Sequence, residues 1–135
     1  MDAEPRRRQA DSELTGAVIG AAMDVHRELG PGLLESVYEE CLCLELRDRG
    51  IEHRRQVEVP VIYKGKVLGV TYRLDVMVEQ VLALELKASE TMAAVHSAQL
   101  LTYLKLLDCR LGLLLNFGQE TLRDGVVRVA NQYPA

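Results

Sequence analysis

The chain has 135 residues, 48% of them hydrophobic and 27% charged, which suits one domain with a core that needs no covalent staples. With 16 Lys and Arg against 20 Asp and Glu, the net charge of -4 excludes a protein that coats duplex DNA with its whole surface, so any nucleic-acid contact must be local. Cys41, Cys43 and Cys109 are odd in number and wrongly spaced for a disulfide framework, a zinc site or an iron–sulfur set.

The opening "MDAEPRRRQADSE" has three arginines but no apolar run behind them, so it does not read as a secretory signal. Residues 1–11 read as a flexible, solvated tail, the alternative being a basic arm that touches phosphate. Residues 12–135 read as a single domain. No apolar stretch is long enough to span a membrane, and free cysteines fit a reducing cytoplasm.

Asp11 or Ser12 can cap a first helix, along which Leu14, Ala17, Val18, Ala21, Ala22, Val25 and Leu29 recur at helical spacing. Gly30-Pro31-Gly32 ends it. A second helix is expected over 33–49, with Leu34, Val37, Cys41 and Leu44 as its buried stripe and Gly50 as its stop. The period then changes to that of strands. Lys64-Gly65-Lys66 marks a turn, and Pro60, which lacks a backbone donor, marks an edge strand or a bulge. A third helix is expected over 93–107 and a buried strand over 110–117; residues 125–130 read equally as a strand or a short helix. Helix, helix, three strands, helix, strand implies an α/β sandwich with a mixed sheet.

The segment "YRLDVMVEQVLALELKA", residues 72–88, places Asp75, Glu85 and Lys87 in the most apolar hairpin of the chain. Glu85 and Lys87 share a face; Leu84 and Leu86 point away from it. Asp75 meets Glu85 if paired residue numbers sum to 160, which requires an odd loop such as a three-residue turn at 79–81. Two adjacent carboxylates repel, and a divalent cation removes that penalty. A lysine beside them suits a phosphate oxygen or an attacking water. The plain alternative is an exposed sheet face with a cross-strand salt bridge. Glu35 opens the second helix, where a carboxylate also complements the helix dipole. Gln99 and Tyr103, four apart, share a face of the third helix, as they also would on the polar rim of any amphipathic helix.

Together these residues resemble the PD-(D/E)xK nuclease superfamily and, within it, the GxxExxY family. The naming motif is intact as Gly32-Leu33-Leu34-Glu35-Ser36-Val37-Tyr38, followed in order by "YRLDVMVE", "LELKA", "HSAQLLTYLKL" and "GLLLNFG". The resemblance implies a restriction-endonuclease-like αβββαβ core, a mixed central sheet flanked by helices, with an extra N-terminal helix. It implies Asp75 and Glu85 as ligands of Mg²⁺ or Mn²⁺, with the Leu86 carbonyl facing the metal. Lys87 matches the motif lysine that assists water, Glu35 a helix acid that supports the site or a second metal. Gln99 and Tyr103 match the QxxxY helix of RecB-like nucleases. Leu74-Asp75 stands where the motif has proline and aspartate, and the proline carries no chemistry.

His26 and His96 stay outside the expected catalytic set. Arg54, Arg55, Lys64, Lys66 and Lys105 read as solubilising charges; Arg73, expected on the face of Asp75, is the phosphate-contact candidate. One Phe and no Trp give little material for a stacking platform. The expected function is a metal-dependent nuclease acting on DNA or another nucleic acid, alone or with a homodimer or protein partner. The alternatives are a catalytically silent nuclease-like scaffold that binds nucleic acid or protein, and a structural oligomer subunit.

Overall fold

The computed structural model of the chain describes residues 4–131. Residues 1–3 of the expected tail and 132–135 of the expected domain lie outside the described residues. The elements are α1 (Glu4–Leu29), α2 (Glu35–Asp48), β1 (His53–Tyr63), β2 (Lys66–Val78), β3 (Leu82–Lys87), α3 (Ala94–Leu107), β4 (Leu111–Asn116) and β5 (Val126–Ala130), with a 3-10 turn at Leu122–Gly125. Among the described residues no helix is long and apolar enough to cross a membrane.

The strands form one sheet in the order β1-β2-β3-β4-β5. All neighbours are antiparallel except β3 and β4, which are parallel and joined through α3 as the crossover that such a pair requires. On one face, Val18, Ala21, Ala22 and Val25 of α1 and Leu42 and Leu46 of α2 pack on Val76, Val78, Leu84, Leu86, Leu113 and Leu115. On the other, Leu100, Tyr103 and Leu104 of α3 pack on Leu74, Met77, Ala83 and Leu114. This is the expected α/β core with its added N-terminal helix. Pro60 lies on the edge strand β1, beside a register shift between Pro60 and Ile62. The element left open over 125–130 is a strand.

Two local expectations are corrected. Residues 4–11, expected as tail, are helical, and Asp11, expected as a cap, lies buried within α1. Arg110, 99 positions away, donates from Nε and from a terminal nitrogen to the two Asp11 carboxylate oxygens, each at 2.9 Å. A bidentate pair of that sequence separation is invisible to local capping rules.

The second correction is the rotation of α2. Leu34 is 74% exposed, Val37 and Leu44 are exposed, and Cys41 is half-buried; the inward residues are Tyr38, Glu39, Leu42, Cys43 and Leu46. Tyr38 sets this rotation. Its hydroxyl donates to the Gly30 carbonyl at 2.6 Å and accepts the Leu33 N–H at 3.2 Å. Its ring stacks on Phe117 with centroids 4.6 Å apart and planes 12° apart. Gly32 holds φ 104°, a conformation that a side chain would strain. The α1–α2 turn is thus pinned from the first turn of the helix that follows it.

Tyr38→Phe keeps the stack and removes both hydrogen bonds. We expect a loss of about 1–3 kcal/mol, because the Gly30 carbonyl and Leu33 N–H lose their partner. It should appear as a lower urea midpoint at an unchanged m-value.

Candidate active site

Val76, Met77 and Val78 pair with Leu84, Ala83 and Leu82, so paired numbers sum to 160 and Glu79–Val81 form a three-residue turn. Glu79 and Gln80 both take positive φ, 48° and 58°, and Val81 N–H closes the turn on the Val78 carbonyl at 2.9 Å. One step beyond Val76–Leu84, Asp75 faces Glu85. There the side chains replace the ladder. Asp75 N–H donates to Glu85 Oε1 at 3.1 Å, and Leu86 N–H donates to Asp75 Oδ2 at 2.8 Å.

β2 departs from strict alternation at this point. Leu74 and Met77, three apart, both join the α3-side cluster, whereas Val76 joins the opposite one. Gln56, across from Asp75 in the β1–β2 register, takes φ 51° and is skipped in the pairing. The irregularity frees Asp75 from an ordinary ladder position.

Glu85 is only 7% exposed and is pushed up to about 7, first by burial and next by the Asp75 charge. Asp75 is raised as well, first by burial and then by Glu39 and Glu35; its bond from Leu86 N–H and the charge of Lys87 pull the other way. Glu35 is exposed at the start of α2, yet its charge also acts on Glu85. Tyr103 is buried on α3, and burial followed by the Glu85 charge raises its phenol. Gln99, one turn earlier on α3, is half-buried. Lys87 is half-buried on the face of β3 that carries Glu85; Leu86 is buried on the other face. Arg73 is exposed opposite Glu58; the expectation that it shares a face with Asp75 rested on the strict alternation from which β2 departs between Leu74 and Val76.

Sequence reading missed Glu39, Asn116 and Gln119. Glu39, 7% exposed, accepts two bonds from Arg55, at 3.0 and 2.7 Å, and one from Gln56 at 2.9 Å. Its signal was its place on the inward face of α2, hidden by the wrong rotation. Arg55, read as a solubilising charge, is this carboxylate's partner. Asn116 pairs with Lys87 across β3–β4 and is buried. Its Oδ1 accepts Ser89 N–H at 3.0 Å and Gly118 N–H at 2.9 Å, and its Nδ2 donates to the Thr91 carbonyl at 3.3 Å. Gln119 Nε2 donates to the carbonyls of Ser89 and Glu90 at 3.2 and 2.8 Å. These two amides fix the loop from Lys87 to α3. A Cβ on Gly118 would stand 2.4 Å from the Ser89 carbonyl oxygen, so the approach requires glycine. His26 is buried with Nε2 2.9 Å from the Gln119 carbonyl, which ties it to this loop; His96, half-buried, begins α3.

Among the described residues no group of three His, Cys, Asp or Glu side chains is placed to hold a metal ion. The fit therefore rests on two carboxylates. Mg²⁺ commonly takes one or two carboxylates and completes its shell with water and substrate phosphate, so the donor chemistry of Asp75 and Glu85 suits it.

A mixed sheet flanked by helices, with an acid on β2 and an acid-x-lysine on β3, defines the restriction-endonuclease-like class. The chain belongs to the PD-(D/E)XK nuclease superfamily, whose model matches residues 12–129. Among solved structures it is similar to the crystal structure of SSO0001, with TM-score 0.54 and 21% identity over 95% of this chain. It spans 63% of that protein's chain, and the likeness is one of fold. No curated protein matches it.

The raised Glu85 carboxyl has a stability consequence in metal-free protein. An acid with a higher pKa in the folded state binds its proton more tightly there, so its penalty is full above the folded value and fades as pH falls toward the unfolded value. With Glu85 raised from 4.5 to about 7, Glu85→Gln should exceed wild type in Tm most at pH 8, with the gap closing toward pH 5. A Tm gap independent of pH in EDTA would contradict this account of Glu85.

Proposed function

We propose that the chain is a metal-dependent nuclease of the GxxExxY family that hydrolyses phosphodiester bonds in DNA or another nucleic acid, with 12–135 acting as one domain. The observation that carries this reading is the interlock of Asp75 and Glu85 across the hairpin, with Lys87 on the Glu85 face. A buried and a half-buried carboxylate, both with raised pKa values, are a costly arrangement that a divalent cation relieves. Mg²⁺ or Mn²⁺ held by Asp75, Glu85 and the Leu86 carbonyl would supply Lewis-acid polarisation of a phosphate oxygen and a more acidic water.

The residues divide the remaining work. Asp75 and Glu85 each keep one oxygen on a backbone N–H of the opposite strand, which orients both carboxylates before substrate arrives. Lys87 places a positive charge where the attacked phosphate gains negative charge, and orients the incoming water. Glu35, at the rim, supports the ligand pair or a second cation. Tyr103 and Gln99 line the α3 wall, and Arg73 meets a flanking phosphate. A nuclease-like scaffold that binds without cutting is the second reading; it draws on the same two N–H bonds, which hold the carboxylates with no metal present.

Single- and double-stranded DNA, linear and circular, and RNA should be incubated with Mg²⁺ or Mn²⁺ and wild type, Asp75→Asn or Lys87→Ala. Wild type should cut at least one substrate, and each variant should lose about 10²–10³-fold in rate. Equal cleavage by all three would assign the activity to a contaminant and remove the nuclease reading. Binding without cleavage would leave the scaffold.

A further inference from the structure

β2 pairs with β3 at Val76, Met77 and Val78 and touches it through Asp75, so from Lys66 to Leu74 its other side has no strand beside it. Its partner β1 is the edge of the sheet. The distal halves of β1 and β2, closed by a two-residue turn at Lys64-Gly65 with φ 50° and 78°, therefore project as a two-stranded ribbon. Every residue from Lys66 to Arg73 is exposed. Tyr63, Val67 and Val70 are 62%, 70% and 62% exposed. A two-stranded ribbon is marginal by itself in water and gains from a partner.

Charge identifies the partner. From Val59 to Tyr72 the ribbon has no Asp or Glu, in a chain with 20 of them and a net charge of -4, yet it carries Lys64 and Lys66; Arg73, nearer its root, lies opposite Glu58. Arg7, Arg27, Arg49, Arg55 and Arg110 are all in ion pairs with carboxylates. Among the described residues the three ribbon cations are in none, as are Arg47, Arg54, Lys87, Lys105, Arg123 and Arg128, and Lys64 stands over the Tyr63 ring, 5.4 Å from its centroid. A second copy is a poor occupant of the open β2 edge. Antiparallel self-pairing about the centre of the exposed run, residues 66–73, brings Lys66 against Arg73, and that run holds no acid.

The ribbon is also continuous with the candidate site. Asp75 lies at its root, and Tyr72 packs on Tyr103 of the α3 wall with ring centroids 5.4 Å apart. From Lys66 to Arg73 the strand spans about 23 Å at ~3.3 Å per residue, and a two-stranded ribbon fits the major groove of a duplex.

We propose that the β1–β2 ribbon is an arm that grips the phosphate backbone of a duplex, with Lys64 and Lys66 at its tip holding DNA whose scissile bond lies at the root of the arm. The grip rests on the nuclease reading for its substrate class but is measured separately from cleavage. Labelled 30-base-pair DNA is titrated in EDTA, across a salt series, with wild type, Lys64→Glu/Lys66→Glu and Ile62→Ser/Val67→Ser. All four positions are exposed or at the tip, and matching circular dichroism and Tm confirm folding. Lys64→Glu/Lys66→Glu should weaken binding tenfold or more and lower the slope of log Kd against log salt by about 2.

Equal binding and slope for wild type and Lys64→Glu/Lys66→Glu overturn the arm, even if both cut DNA in Mg²⁺. Lost binding in that variant, with no cleavage by wild type, upholds the arm and removes the nuclease. No duplex binding by wild type at low salt overturns the arm. A wild-type dimer by sedimentation that Ile62→Ser/Val67→Ser dissociates, with DNA binding unchanged in both variants, overturns it in favour of a second copy.

Discussion

The site depends on one exchange of hydrogen bonds. Where the β2–β3 ladder stops, Asp75 and Glu85 take over its role, each carboxylate accepting a backbone N–H from the other strand. Two acids this close, Glu85 buried and Asp75 half-buried, resist ionisation, and both are shifted upward. The backbone donors offset part of that penalty and hold the acids side by side. The three-residue turn at 79–81 is the condition for it. With a two-residue turn the parity would reverse, and Asp75 would leave the Glu85 face.

The helices on the two faces contribute unequally. α2 reaches the site through its first two turns, because Tyr38 pins that end to the Gly30 carbonyl and Phe117. This places Glu35 at the rim and turns Glu39 inward, where Arg55 neutralises it and Gln56 donates a hydrogen bond to it, beside the irregular pairing near Asp75. In physical terms, the glycine and tyrosine of the G-x-x-E-x-x-Y run serve geometry, and its glutamate is exposed at the start of α2. On the α3 side, Asn116 and Gln119 fix the loop after Lys87, so the lysine and the Gln99–Tyr103 face are carried by one braced segment.

Much of this was legible in local pattern. The strand period, the turns, Pro60 at an edge and the two-residue spacing of Glu85 and Lys87 follow from alternation and backbone sterics, which act over a few residues. The α2 face did not follow. Leu34, Val37, Cys41 and Leu44 make a regular apolar stripe, and so do Tyr38, Leu42 and Leu46; spacing cannot choose between stripes on one helix. The choice rests on a hydroxyl bonding a turn eight residues back and a ring stacking on Phe117. The burial of Asp11 within α1 likewise rests on Arg110.

By itself the sequence determined the order of elements, the α/β class, and which charged residues sit in apolar strands, because those properties are set by neighbours in the chain. Only the tertiary structure decided that Asp75 and Glu85 interlock, that Glu39 is buried beside them, that Asn116 braces the loop behind Lys87, and that half of β2 pairs with β1 alone. Each of these is a contact between segments distant in sequence. Such contacts depend on register and helix rotation, which exist only once the layers have packed.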